Sequence, residues 1–275
     1  MTAISSSRAV AWLVRDTFRQ ALASGPSWLM LAGSAACAAL CLMAPVDGSA
    51  AAYALEQQLA SWAVHVVGLL LALVATAGML PAFLDPHRAS VLLAKPVSRR
   101  ALLAGKFLGV LAFVAFHATL FVGGAWLALA VRGGAWDPAF LLCVPLLVLH
   151  FAVFFSFSVM LAVATRNTAA CVFGTVLFWL LCWAMNFGRH AAMGTLDPHV
   201  ISPAFGWVID SAYWVLPKPL DFQLVLSDGS HGEVLGLGRV TERGAWSPAL
   251  SLLASALCGA GLLAVAAYDF AGAEY

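Results

Sequence analysis

The chain has 275 residues, of which 63% are hydrophobic and only 10% are charged, and its formal net charge is +1. Soluble proteins carry roughly 25% charged residues, so this chain has too few to cover a water-soluble globule of its size. A surface that faces lipid needs no charge. The composition therefore excludes a soluble domain and indicates a polytopic membrane protein.

The first predicted element is an amphipathic helix over residues 8–24. Apolar side chains recur on one helical face and basic side chains lie on the other, which is typical of a helix on a bilayer surface. The apolar face holds Val10, Leu13, Val14, Phe18, Ala21 and Leu22, and the opposite face holds Arg8, Trp12, Arg15 and Arg19.

Six apolar runs follow, and each is long enough to cross a ~30 Å hydrocarbon layer. No alternating barrel pattern is present, so we predict an all-α fold with six transmembrane helices. The small residues after Met43 resemble a signal-peptide cleavage region, but the long segment before the first run and the later runs favour its retention. The runs lie near residues 27–44, 60–84, 104–131, 139–165, 168–187 and 248–268.

Residues 85–100 form the one sizeable loop between spans on the side of the termini. Asp85-Pro86 predicts the start of a short helix, and Pro96 forces its end. Ser98 is then expected to cap the helix that enters the membrane. A short helix held between two spans is suited to receiving force or a docking partner. The alternative is an ordinary basic loop that follows the charge rule for cytoplasmic loops.

Residues 188–246 form a large segment on the opposite side of the membrane. Ser202-Pro203 predicts the start of a short helix there, and Trp207, Tyr213 and Trp214 place that helix in the membrane interface. Ser247-Pro248 is expected to begin the last span.

The distribution of Lys and Arg predicts the orientation. Nine of the 14 basic residues lie in the segments on the terminal side, together with four of the 13 acids. Because cytoplasmic loops are enriched in Lys and Arg, both termini are expected in the cytoplasm and residues 188–246 outside it.

Part of the loop has a familiar pattern. Leu92-Leu93-Ala94-Lys95-Pro96-Val97-Ser98-Arg99, followed by Leu102-Leu103-Ala104-Gly105-Lys106-Phe107, resembles the loop between spans two and three of type-2 ABC transporter permeases. That family also has an N-terminal elbow helix, six spans, cytoplasmic termini and a large outer segment between spans five and six. One departure lies at the start of the loop, where family members usually have an acidic-Arg pair and a Gly-Thr and this chain has Asp85-Pro86-His87-Arg88 and Ala89-Ser90.

The resemblance implies that this loop is a coupling helix that inserts into an ATP-binding subunit. It also implies a second permease copy or a paralogue, because six spans make half of a translocation pathway, and a bacterial inner membrane as the location. No nucleic acid is expected among the partners. The residues expected to contact the ATPase are Arg88, Val91, Leu92, Leu93, Lys95 and Pro96.

The chain has no phosphate-binding loop of its own. Its only Gly-Lys pair is Gly105-Lys106, with Arg100 where the motif requires the first glycine and Phe107 where it requires Ser or Thr. We therefore expect no directly bound cofactor, with ATP and Mg²⁺ held by the partner ATPase.

His117 and His150 are the polar residues expected nearest the centre of the bilayer, at similar depth on neighbouring spans. Ionisable residues inside a membrane are candidates for function, although a neutral histidine that bonds a neighbouring helix is the commoner case. Each of the six cysteines lies in an apolar run and no CxxC pair occurs, so neither a disulfide framework nor a metal site is predicted.

Two other classes of function stay open at this point. A membrane-embedded enzyme would use His117, His150 or outer acids such as Asp210 and Asp221, although no HExxH or GxSxG motif supports it. A scaffold would recruit partners without transport. The sequence does not indicate the cargo of a transporter.

Overall fold

The computed structural model describes residues 6–46, 48–84, 98–134, 136–195, 203–225 and 246–272. Regular structure within these ranges is helical throughout. A π-helical segment, Leu59–Gly68, joins α3 to α4, and a 3-10 turn, Pro138–Leu142, precedes α7. The helices are α1 (Ser6–Leu22), α2 (Gly25–Met43), α3 (Ser49–Gln58), α4 (Leu69–Thr76), α5 (Met79–Phe83), α6 (Arg99–Gly133), α7 (Cys143–Thr165), α8 (Thr168–Thr195), α9 (Pro203–Val215), α10 (Pro219–Leu224) and α11 (Pro248–Gly272).

Six stretches of the described chain are long and apolar enough to cross a membrane, which confirms the predicted all-α fold with six spans. The last one begins at Pro248, as the Ser247-Pro248 pair predicts. These stretches, spans 1 to 6 below, are Gly25–Met43, Trp62–Phe83, Arg99–Gly133, Pro138–Thr165, Thr168–Ala191 and Pro248–Gly272.

Span 2 is less regular than its apolar sequence predicts. The π-helical segment passes into α4, and Ala77 and Gly78 separate α4 from α5. The Ala-rich segment before this span forms the helix α3, because alanine is the strongest helix former.

Helix α8 continues past the predicted end of span 5 at residue 187 and reaches Thr195. The first residues of the segment 188–246 therefore prolong this helix. The predicted short helix is present as α9, which begins at Pro203. Its Trp207 and Trp214 are exposed as expected, but Tyr213 is buried within the protein.

The N-terminal helix α1 packs along the first turns of α6. Its buried side chains follow one face, and its arginines are exposed, in agreement with the predicted amphipathic pattern. Gly105 and Gly109 on α6 allow the close approach, since a Cβ on Gly109 would lie 2.6 Å from the Cβ of Thr17 and 3.1 Å from the carbonyl oxygen of Val14.

We expect Gly109→Ala to lower the thermal stability of the protein, because the added methyl forces α1 away from α6, and overpacking costs about 1–3 kcal/mol. Gly123→Ala on the same helix is the matched control, since its Cβ meets nothing within 4 Å. Thermal unfolding of both variants in the same detergent measures the difference. Equal midpoints for the two variants would contradict the close packing of α1.

Candidate functional site

The predicted coupling residues, Arg88, Val91, Leu92, Leu93, Lys95 and Pro96, lie outside the residues that the structure describes. The two ends of their loop are described. The chain enters it after α5 and Leu84, and leaves it at Ser98. The Ser98 hydroxyl accepts a hydrogen bond of 3.3 Å from the Ala101 amide, which confirms the predicted cap of α6. The loop therefore connects directly to spans 2 and 3.

His117 is buried and makes a local hydrogen bond between helices. Its Nε2 atom lies 3.1 Å from the Ser27 hydroxyl in span 1. The rings of Phe113 and Phe116 pack edge-on against it, with centroids at 4.6 and 5.4 Å. His117 therefore joins spans 1 and 3 through a local contact.

His150 has a different environment, and its ring makes no contact with the ring of His117. It stacks on Phe222 of α10 with centroids at 4.4 Å and rings 5° from parallel. The ring of His65, in the π-helical segment, is also close to His150, with 5.7 Å between the two ring centroids. The ring nitrogens of His65 and His150 have no hydrogen-bond partner among the described residues. Three separate elements, spans 2 and 4 and α10, therefore meet around His150.

Asp221 is the centre of a buried polar network at the end of the bundle where α9 and α10 lie. The residue is 0% exposed, and its carboxylate accepts three side-chain hydrogen bonds. The donors are Asn186 Nδ2 at 3.0 Å, His190 Nε2 at 2.6 Å and the Tyr213 hydroxyl at 2.6 Å. Burial alone raises the pKa of Asp221, but the hydrogen bond and charge of His190 outweigh it, so the pKa lies below its ordinary value.

Asn186 of span 5 also caps the short helix α10. Its Oδ1 atom accepts hydrogen bonds from the amides of Leu220 at 3.0 Å and Asp221 at 3.3 Å. The first amides of a helix have no partner within the helix, and Lys218, which precedes α10, offers no side-chain cap. One asparagine side chain thus joins α10 to span 5 through both its oxygen and its nitrogen.

Tyr213 lies between this network and two cations. The Arg189 guanidinium lies 3.8 Å from the centre of its ring and the Lys218 ammonium 4.6 Å from it. Burial and then the charge of Asp221 raise the pKa of Tyr213. Burial also lowers the pKa of Lys218, against the opposing effect of Asp221. Ser251 of span 6 is hydrogen-bonded to the Tyr213 hydroxyl at 2.9 Å, so the network reaches span 6 as well.

Sequence reasoning missed several members of this site. His65 lies in an apolar run, as His117 and His150 do, so the same criterion could have found it. Asn186 and His190 gave no such signal, because single polar residues are ordinary at the end of a span, at residue 187. Outside this site, sequence reasoning also missed the buried Glu56 of α3. Burial, and then the charge of Asp137, raise its pKa to about 7.

The arrangement does not support the enzyme alternative. Asp221 and His190 converge, but both are buried and the carboxylate is already occupied by protein donors. Asp210 pairs with Arg189 at 2.9 Å, with its side chain partly exposed. Within the described ranges, no three His, Cys, Asp or Glu residues lie where they could hold a metal ion. The network is suited to fixing helices against each other.

Six packed spans with an extended helix-anchoring network define a multi-pass helical membrane protein. The family model described as ABC-2 family transporter protein matches residues 13–259. The chain therefore belongs to the ABC-2 transporter permease family, which confirms the resemblance carried by residues 92–107, and it is the membrane subunit of a transporter. No curated protein matches the sequence.

Proposed function

We propose that the chain is the permease subunit of an ATP-driven exporter and forms half of its translocation pathway. The observation that carries the proposal is the family match over residues 13–259 together with six spans. The two spans that flank the predicted coupling loop continue into the core of the bundle. A movement of that loop is therefore passed to spans 2 and 3.

The ATPase belongs to a separate polypeptide in this proposal. The sequence has no phosphate-binding loop, so ATP and Mg²⁺ are held by the partner. Residues 85–100 dock on that partner through Val91, Leu92 and Leu93, with Arg88 and Lys95 at the rim of the contact.

The second half of the pathway comes from another copy of this chain or from a paralogue. Spans 1, 5 and 6 bury a smaller share of their residues than spans 2 to 4. Span 5 in particular exposes Phe173, Leu177 and Leu181. Apolar faces of this kind suit both lipid and a partner helix.

The orientation in the proposal follows the Lys and Arg distribution. Both termini and residues 85–100 lie in the cytoplasm of a bacterial cell, and α9 and α10 lie on the outer side of the inner membrane. The polar network around Asp221 is then at the outer end of the pathway, where the cargo leaves.

Affinity purification of the tagged full chain from its native membranes, in a mild detergent, tests the proposal. We expect an ATP-hydrolysing subunit to copurify in stoichiometric amount and to be recovered with one other permease copy or paralogue. Recovery of the chain without any nucleotide-hydrolysing partner would overturn the proposal. Loss of the complex after Leu92→Asp, with recovery after Arg88→Gln, would locate the contact in the loop.

A further inference from the structure

Two histidines lie side by side inside the bundle. His65 of span 2 and His150 of span 4 are each 0% exposed, and their ring centroids are 5.7 Å apart with the ring planes 32° from parallel. Neither ring is hydrogen-bonded to the network around Asp221. The proposed transport function therefore leaves this pair without a role.

The pair differs in its hydrogen bonding from the other two histidines of the described ranges, His117 and His190. His117 has one ring nitrogen bonded to Ser27, and His190 has one bonded to the buried carboxylate of the network. In His65 and His150 both ring nitrogens lack a hydrogen-bond partner within the described part of the chain. Buried polar atoms are nearly always paired with protein, water or an ion, so these nitrogens indicate a bound species.

The spacing of the two rings suits a single ion held between them. When one nitrogen of each ring faces the other ring, two bonds of about 2 Å to one metal ion place the ring centroids roughly 5.5–6 Å apart, depending on the angle at the ion. The observed separation of His65 and His150, 5.7 Å, lies in this range. A direct hydrogen bond between the rings would place their centroids about 5 Å apart, which is closer than observed.

A water molecule fits this place less well than an ion does. The rings of Phe154 and Phe222 pack against His150, with centroids at 5.4 and 4.4 Å, and they offer no ordinary hydrogen bond. A buried water typically makes about three hydrogen bonds, so a water between two histidines would keep part of its capacity unused. An ion that is satisfied by two nitrogen ligands avoids this cost.

The set of ligands selects the ion. Within the described ranges, no third His, Cys, Asp or Glu joins the pair. Zn²⁺ is almost always four-coordinate in structural protein sites, and Ca²⁺ and Mg²⁺ require several oxygen ligands. Neutral imidazoles also leave the charge of the ion uncompensated in an apolar interior, where each further charge is costly. Cu⁺ has a single charge, accepts imidazole and is stable with two ligands.

Phe222 also favours a cation at this place. Its ring stacks on His150 with only 5° between the planes. An imidazole that is bound to a cation carries part of the positive charge, and the face of an aromatic ring stabilises such a charge. The stacking therefore supports His150 more strongly as a metal ligand than as a neutral side chain.

We propose that His65 and His150 bind one Cu⁺ ion between their rings. The ion joins span 2 to span 4 beside α10. It also fixes the tautomer of each ring, because the nitrogen that binds the metal is the one without a proton. The inference goes beyond the proposed transport function and does not depend on it, since both ligands belong to this chain.

The test uses the purified full chain with the subunits that accompany it, stripped of metal and then titrated with Cu⁺ in competition with a chromophoric copper chelator, under anaerobic reducing conditions. We expect one Cu⁺ to be retained per copy of this chain, and X-ray absorption at the copper edge should show nitrogen ligands only. His65→Phe and His150→Phe should each weaken binding by about a hundredfold or more, since loss of a residue that merely supports a metal ligand already costs about 10–100-fold. His117→Phe is the matched control and should keep the ion.

Phenylalanine keeps the aromatic ring and removes the unpartnered nitrogens, so the His65→Phe and His150→Phe variants should unfold at the temperature of the unmodified chain. Failure of the unmodified chain to retain Cu⁺ would overturn the proposal. Sulfur ligands in its absorption spectrum would do the same without any variant, because they would assign the ion to cysteines. Copper retained in full by either variant, copper lost equally by the control, or Zn²⁺ bound as tightly as Cu⁺ would also contradict this site.

Discussion

We expect Asp221→Ala to lower the thermal unfolding midpoint of the purified protein by about 10 °C. Each buried donor left without its acceptor costs about 1–3 kcal/mol, and each kcal/mol moves a domain of this size by about 2–4 °C. Removing the carboxylate leaves the Asn186 amide, the His190 ring and the Tyr213 hydroxyl without their shared acceptor. Helix α10 then loses its carboxylate contacts with span 5 and keeps only the Asn186 cap on its amides. Phe222, the next residue, is expected to lose its stacking on His150.

Asp210→Ala is the matched control. Asp210 is also an aspartate paired with a basic residue of span 5, but its side chain is 47% exposed. An exposed ion pair contributes only about 0–1 kcal/mol, so this variant should shift the midpoint by a few degrees at most. The same size of shift in both variants would mean that the network around Asp221 is not what holds α10 in place.

The second large effect is expected in the predicted coupling loop. Leu92→Asp and Leu93→Asp should each abolish the stable association with the ATPase, because burying one leucine contributes about 1.5–3 kcal/mol and a buried unpaired carboxylate opposes docking further. The loop is anchored at both ends by spans 2 and 3, so a loss of docking should also remove nucleotide-dependent movement of those spans. Pull-down of the ATPase from membranes that express each variant at equal level gives the readout.

Arg88→Glu serves as the comparison within the same loop. A charge at the rim of an interface should matter far less than an apolar side chain at its centre, so this variant should keep most of the bound ATPase. If both leucine variants bind the ATPase as well as the unmodified chain does, residues 86–95 are not the docking element.

The spans were predictable because a membrane crossing needs a long apolar run, and that property is local in the sequence. The family was also predictable from a local feature, because the motif that resembles the family's loop lies in one contiguous stretch, residues 92–107. The end of span 5 was not predictable in this way. Asn186 is near the end of the predicted span and His190 lies just beyond it; both are helical in the structure and hydrogen-bond to Asp221, far along the chain.

The site itself was predicted only in part. His150 was a candidate by its place in an apolar run, but its partners His65 and Phe222 come from two other elements, and sequence spacing does not reveal such contacts. Tyr213 was predicted at the membrane interface because tyrosine is common there. Its burial depends on the Asp221 carboxylate and Ser251, two polar partners that only the folded chain brings to its hydroxyl.

The most direct test of a permease driven by a separate ATPase is the rate of ATP hydrolysis by the copurified ATPase in lipid nanodiscs, measured with and without this chain. We expect the complex to hydrolyse ATP at a rate that differs severalfold from that of the isolated ATPase, and we expect Leu92→Asp to restore the rate of the isolated subunit. An identical rate with the chain present, with the chain absent and with the Leu92→Asp variant would contradict coupling between the two subunits.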